Sequence, residues 1–365
     1  MYAPSLEIEL DPVGPLYRIH QDDRMPQITA RAKILNPPDE LAGWDKRPYP
    51  PGLTYQWDVS LVMQPGRIPH THGRITSHPR IWTRTFGPEF VIPFTKIRGG
   101  DLNISVTVSG SGLKEPLRAK TRGLKVLGNA SSLTEQTLYA AGASELMVKI
   151  IRHESAMRQF HDSGPWAGYP LFSADNLGGV GLTQLTNPHP NDDEVWSWRA
   201  NLAKGMHVLL DKLSSAKRYL ENYPNSAEFQ TYANNYNNER LRLLLASPTK
   251  STLHATGPLK ITISAPSKQM IEREAIRAYN GYGYGINNPY HKGKLHLREF
   301  IANVDTSNPR LPKLVVQEVD ASNGTATWHE NTGAERKAWY EKNSLPVSGD
   351  PDYVQNVLGE TIGNP

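Results

Sequence analysis

The chain of 365 residues contains no cysteine. That absence excludes a disulfide framework, a thiolate nucleophile and a cysteine zinc site, and it leaves the redox compartment open. No stretch approaches the roughly 18 uninterrupted apolar residues that a membrane span requires. The opening Met1-Tyr2-Ala3-Pro4-Ser5-Leu6-Glu7 has neither a basic leader nor an apolar core, so an ordinary cleavable signal peptide is not expected. Long Lys/Arg runs are missing as well. With Lys+Arg 40 against Asp+Glu 36 the net charge is +4, and the isoelectric point is about 9.0. Mild attraction to anionic polymers is compatible with this balance, whereas nucleic-acid binding calls for a denser basic stripe. What is present, 38% hydrophobic and 21% charged residues, describes a globular chain with enough length for two domains at roughly 100–200 residues each.

The first third has a period of two. Tyr55, Trp57, Val59, Leu61 and Met63 alternate with Thr54, Gln56, Asp58 and Ser60, and similar alternation runs through Leu6–Leu10, Ile28–Ile34 and Ile104–Val108. Pro- and Gly-rich turns separate these runs, such as Asn36-Pro37-Pro38-Asp39 and Gly99-Gly100-Asp101. Residues 1–125 therefore read as an immunoglobulin-like β-sandwich with Trp57 in its core. Beyond Gly128-Asn129-Ala130 the period becomes helical. Leu146, Met147, Ile150 and Ile151 form one stripe, Leu202, Met206, Leu209, Leu210 and Leu213 a second, and Met270, Ile271, Ala275, Ala278 and Tyr279 a third. The fold expected is α+β with two domains, 1–125 and 126–365, the second mainly α. It is interrupted by a polar helical stretch around 227–247 and a small hairpin near Leu314-Val315-Val316 and Asn323-Gly324.

Glu154 is the strongest candidate for chemistry. It ends the apolar stripe of Met147 and Ile150, where partial desolvation favours a protonated carboxyl suited to general acid catalysis. Downstream, Gly178-Gly179-Val180-Gly181-Leu182-Thr183-Gln184 lets backbone approach another surface and offers Gln184 as a polar group in the crevice. Gly205 lies inside a helix, at a cost of about 1 kcal/mol relative to alanine, and is expected to mark close packing. Ala278-Tyr279-Asn280-Gly281-Tyr282 ends another helix, and Asp350-Pro351-Asp352-Tyr353 reads as an N-cap with proline at the first helical position.

Taken in order, Glu154-Ser155, Gly181-Leu182-Thr183-Gln184, Asn201-Leu202 with Gly205, Ala278-Tyr279-Asn280 and Tyr353-Val354 resemble the blocks of soluble lytic transglycosylases and goose-type lysozymes. The resemblance covers roughly residues 130–285 and the last fifteen or so. It implies a lysozyme-like α fold that cleaves the β-1,4 bond between N-acetylmuramic acid and N-acetylglucosamine. Glu154 would be the catalytic acid/base, with Ser155, Gln184, Tyr279, Asn280 and Tyr353 as substrate-binding residues. Within that set Ser155 orients the acid, Gln184 and Asn280 hold sugar groups, and the tyrosines support the acid and the cleft wall. Thr183 stands where the family more often has methionine, which reads as a change in the cleft lining. The intervals from Glu154 to Gly181, from Gln184 to Ala278 and from Asn280 to Tyr353 are enlarged, the first holding Trp166 and Tyr169.

Two chemistries follow. A transglycosylase needs one carboxylate, because the nucleophile is the substrate's own 6-hydroxyl. A muramidase using water needs a second, for which Asp175, Asp192 and Asp193 are available. The alternative of another class is a non-catalytic glycan-binding or tail structural protein, and a chitinase-like activity is a weaker third reading. Tyr282 and Tyr284, set among glycines, suit either stacking on sugars or loop packing. His70, His72 and His78 lie close together, but without a nearby carboxylate they read as loop histidines rather than zinc ligands. No metal and no organic cofactor is expected.

By analogy with effectors of bacterial antagonism and phage-tail lysins, the β domain is expected to dock or deliver the enzyme. The partners then implied are peptidoglycan strands, secretion or tail machinery, and an immunity protein that plugs the cleft. The site of action would be the periplasm or wall of a target cell, after synthesis in a bacterial cytoplasm.

Overall fold

The computed structural model describes residues 3–41, 43–46, 49, 52–64, 73–173, 178–246, 258, 260–280, 300–302, 325–326, 328–330, 350 and 352–360. The protein has both helices and strands, a mixed α+β chain. By its contacts it divides into residues 1–205 and 206–365. The change of period near residue 126 falls inside the first of these units, at the end of a strand. His70, His72, Asp175, Tyr282, Tyr284 and the expected hairpin around 314–324 lie outside the described residues.

Among the described residues of the first unit, ten strands form two sheets. One sheet is antiparallel and joins β1 (Ser5–Asp11), β3 (Thr29–Leu35) and β7 (Glu89–Val91). The larger sheet joins β2 (Leu16–Arg18), β10 (Leu124–Leu127), β8 (Gly100–Gly110), β4 (Leu53–Met63) and β5 (Thr76–Ser77). In it β6 (Ile81–Thr85) also pairs with β4, and β9 (Leu117–Lys120) with β8. The register Trp57↔Val106 and Val59↔Ile104 places apolar side chains of the two long strands in ranks. Every odd-numbered residue of β4 is buried, Trp57 completely. Both sheets share one apolar core, to which Ala30, Ala32 and Ile34 of β3 contribute.

That core does not stop at the last strand. Phe160, Phe172, Val180, Val195 and Trp196 belong to the same buried cluster. Trp196 Nε1 donates to Thr76 Oγ1 at 2.8 Å, and Trp198 Nε1 donates to Gln21 O at 2.9 Å. Arg98 donates to Asp193 at 2.7 Å, and Arg74 meets Asp192 at 3.2 Å. The strands and the helical segment after them are thus one packed body. At about 25 cal/mol per Å², burying large aromatics across such a seam is worth several kcal/mol.

Beyond residue 130 two helices form, α1 (Glu135–Ala140) and α2 (Glu145–Ser155), and the stripe of Leu146, Met147, Ile150 and Ile151 lies in α2. Thr134 and Ser144 cap them through their side-chain oxygens, and Gly142 and Ala143 lie in the break. α3 (Asp192–Trp196) starts from a capping box between Asn191 and Glu194. α4 (Trp198–Asn222) runs through residue 205 into the second unit. Leu210 was placed on its apolar stripe but is 59% exposed, whereas its neighbour Leu209 is buried. The stripe is narrower than a run of adjacent leucines suggests, because consecutive helix positions diverge by about 100°.

The second unit holds the rest of α4, α5 (Ala227–Ala246), α6 (Lys268–Tyr279) and α7 (Tyr353–Leu358). Two short strand pairs join them, β11 (Thr262–Ile263) with β13 (Thr325–Ala326) and β12 (Phe300–Ala302) with β14 (Trp328–Glu330). Tyr223, Phe229, Tyr236, Ile261 and Ala326 make its apolar cluster. Buried Arg273 of α6 pairs with Glu330 and, at 2.6 Å, with Glu360 beyond α7. The cap of α7 is Asp352, two residues later than expected. Asp350 instead accepts from Asp352 N and Asn356 Nδ2, both at 2.8 Å. No helix among the described residues is long and apolar enough to cross a membrane.

Candidate active site

Helix α2 buries Met147, Val148, Ile150 and Ile151 and reaches Glu154 on its last turn. The chain then turns back at once, with Ala156 at φ +50° and Met157 at φ +61°. Left-handed backbone at non-glycine residues costs of order 1–3 kcal/mol each and persists only where the surroundings impose it. The turn leaves Glu154 half-buried at the rim of a cleft of about 430 Å³, lined also by Gln184, Ser173, Phe172, Arg158 and His161. Ser155 is buried; its Oγ donates to Leu182 O at 2.7 Å and lies 3.1 Å from Ile151 O. Its hydroxyl thus ties the end of the acid's helix to the glycine turn.

Two buried amides hold that turn. Asn201 Oδ1 accepts from Thr183 N at 2.9 Å and Thr183 Oγ1 at 2.8 Å, while its Nδ2 donates to Val180 O and Glu194 O, both at 3.0 Å. Gln159 Oε1 accepts from Leu182 N at 2.9 Å, and its Nε2 donates to Val195 O at 2.8 Å. The backbone groups of an irregular buried segment need partners, and these side chains supply them. Gly181 sits between the two amides at φ +72°, where a Cβ would lie 2.5 Å from Gln159 Nε2 and 2.7 Å from Asn201 Nδ2. Gly205 packs on Thr183, as its place inside a helix led one to expect, with a Cβ there 2.6 Å from Thr183 Cγ2. Thr183 itself is fully buried and not in the cleft lining. Thr183 is therefore part of the clamp, because its hydroxyl bonds to Asn201.

Gln184 follows at φ +47°, half-buried, its Nε2 donating to Gly181 O at 2.8 Å. A helix end and a clamped turn thereby bring Glu154, Ser155 and Gln184 together. Tyr279, Asn280 and Tyr353 belong to the second unit: Tyr279 ends α6, Asn280 is its C-cap, and Tyr353 is buried at the start of α7. Asn280 Nδ2 is buried with no hydrogen-bond partner among the described residues.

The cleft wall is basic. Arg158 pairs with Asp162, whose carboxyl is held below its usual range by the Ser163 hydroxyl and by Arg158. Burial pushes the pKa of His161 down, and Arg158 acts in the same direction against Asp162. Asp192 and Asp193 are not in the lining; they are ion-paired with Arg74 and with Arg98 and Lys96. The Arg98 hydrogen bond holds Asp193 well on the ionised side. Glu154 is thus the one carboxylate lining the cleft among the described residues.

His78 is buried, with Nδ1 2.7 Å from Pro79 O and Nε2 accepting from Thr95 N at 2.9 Å and Lys96 N at 3.2 Å. Both ring nitrogens are taken by the backbone. Among the described residues no group of three or more His, Asp or Glu is placed to hold a metal ion. Gln159 was not singled out from sequence, and nothing periodic marks it, since it lies in irregular chain after α2. No protein-family model matches the chain, and no curated protein matches it at a significant level.

Proposed function

We propose that the protein is a peptidoglycan-cleaving glycosidase of lysozyme-like type, in its leading form a lytic transglycosylase with Glu154 as acid and base. One observation carries this reading: Glu154 emerges from an apolar helix face into a cleft that, among the described residues, contains no second carboxylate, opposite a clamped turn that presents Gln184. A single acid suffices when the nucleophile belongs to the substrate. Glu154 protonates the bridging oxygen as the muramic acid C1–O bond breaks. The same residue's carboxylate then takes the proton of the 6-hydroxyl as its oxygen bonds to C1, so the 1,6-anhydro ring forms, water is not consumed and the acid is restored. A water-using enzyme of this class ordinarily needs a second carboxylate.

In this reading Gln184 binds sugar substituents and Ser155 fixes the acid's helix. The sandwich is immunoglobulin-like and the remainder lysozyme-like, with the protein acting in the wall or periplasm of a target bacterium. Secretion or tail machinery and an immunity protein are its partners besides the glycan.

The test is release of dye from labelled sacculi by wild type and by Glu154→Gln, with chitin oligomers in parallel. Release from sacculi that Glu154→Gln abolishes is the expected result. A fully active Glu154→Gln protein overturns the mechanism, and binding of sacculi without any release by wild type turns the reading toward a glycan-binding protein.

A further inference from the structure

The larger sheet of the first unit has one face buried and one face open, and the open face carries an ordered set of side chains. Register fixes two rows across β6, β4, β8 and β9. One row runs Trp82, Asp58, Ser105, Lys120 and the other Arg84, Gln56, Thr107, Arg118. With strands about 4.8 Å apart, each row is about 14 Å long. Trp82 is 64% exposed, and Phe86, just past the end of β6, is 77% exposed. Trp82 thus sets an exposed indole in the same row as Asp58, Ser105 and Lys120. Among the described strand residues of the face, Asp58 is engaged with Arg80 and Asp101 with Lys125 at 4.0 Å. Arg84, Arg118 and Lys120 are exposed, and Lys120 adds to Arg80 in holding the Asp58 carboxyl below its usual range.

We propose that this face is a second binding surface, distinct from the cleft, for a linear glycan that carries carboxylates. A flat array of one indole, short hydroxyl and amide side chains and three cations has the matching chemistry. The indole face stacks on the apolar C–H face of a pyranose ring, Gln56, Ser105 and Thr107 exchange hydrogen bonds with sugar hydroxyls, and the cations meet carboxylates. Charge complementarity selects an acidic glycan over a neutral one, and the indole selects a sugar over a plain polyanion. The inference rests on the peptidoglycan reading for the identity of the strand, and it gives the sandwich a substrate-holding task while the cleft cuts.

The experiment uses the full chain with Glu154→Gln, so that bound glycan stays whole, and measures co-sedimentation with purified sacculi. The expected result is at least tenfold weaker retention for Trp82→Ala and for Arg84→Ala/Arg118→Ala. Arg84→Lys/Arg118→Lys restores retention, and sacculi whose carboxylates have been amidated are held as weakly as by the variants. All variants keep the parent's thermal midpoint, because the side chains are exposed. Unchanged retention in Trp82→Ala, indifference to amidation, or equal competition by polyphosphate with and without Trp82 overturns the proposal. The two readings fail separately. Trp82-dependent binding without release by wild type sinks the catalytic reading alone, and release with Trp82-independent binding sinks this one alone.

Discussion

The sandwich and the cleft wall belong to one packed unit yet are held by opposite means. In β4 and β8 the backbone pairs with itself, and the order comes from apolar side chains such as Trp57 and Val106 meeting across the sheet. Around the glycine turn the backbone pairs with itself only in isolated bridges, Val180 with Leu185 and with Phe172, and two buried side-chain amides supply further partners, Asn201 with four hydrogen bonds and Gln159 bridging Leu182 and Val195. Apolar burial is tolerant of small errors, because it scales with area. A polar clamp is not, because a buried donor or acceptor left unpaired costs about 1–3 kcal/mol. The cleft wall uses the intolerant device.

Substitutions on each side of this contrast sharpen it. The largest effect is expected on activity: Glu154→Gln preserves shape and removes the proton, and should lower turnover by about a thousandfold or more with no change in thermal midpoint. Trp57→Ala should cost about 3–5 kcal/mol in a denaturant titration, since it empties a fully buried site, and it should weaken the cleft only through global unfolding. Asn201→Ala should cost less stability, about 1–3 kcal/mol, yet reduce turnover in protein that is still folded, because the turn that positions Gln184 loses its partners. If Asn201→Ala and Trp57→Ala lowered activity only in proportion to unfolding, the distinction between the two devices would fail.

The smallest effect concerns pH. Burial holds the imidazole of His78 below the usual value of 6.5, and that of His161 likewise. A histidine kept neutral in the fold contributes stability that is fully present above pH 6.5 and is lost as pH falls through the lowered native value. Thermal midpoints should therefore drop as pH falls below 6.5 and level off once the native value is passed. His78→Gln should flatten part of the drop, because protonation of Nε2 would otherwise displace Thr95 N and Lys96 N. A drop identical in wild type and His78→Gln would remove His78 from the account.

The two devices also differ in how far the sequence reveals them. The alternation over 53–63 is visible in the order of residues, and β4 occupies Leu53–Met63, because a two-residue period with one buried face has few other solutions. Glu154 could be picked out since it ends an apolar stripe, and Gly205 since a helix interior seldom holds glycine. Gln159 could not, because an amide in irregular chain has the same local signature whether it faces water or clamps a turn. Leu210 misled for a related reason: hydrophobicity is a property of the residue, whereas the buried side of α4 is set by what it packs against. Thr183, expected in the cleft lining, turned out to bond Asn201 beneath it. Sequence pattern speaks to periodic burial and says little about hydrogen bonds made across long separations.

The central claim is that one carboxylate, Glu154, does both proton transfers. Mass spectrometry of muropeptides released from purified sacculi tests it most directly, with Glu154→Gln alongside. The account predicts products ending in 1,6-anhydromuramic acid, one water lighter than hydrolysis products, and none from the variant. Reducing-end products would contradict it and require a second carboxylate in the cleft.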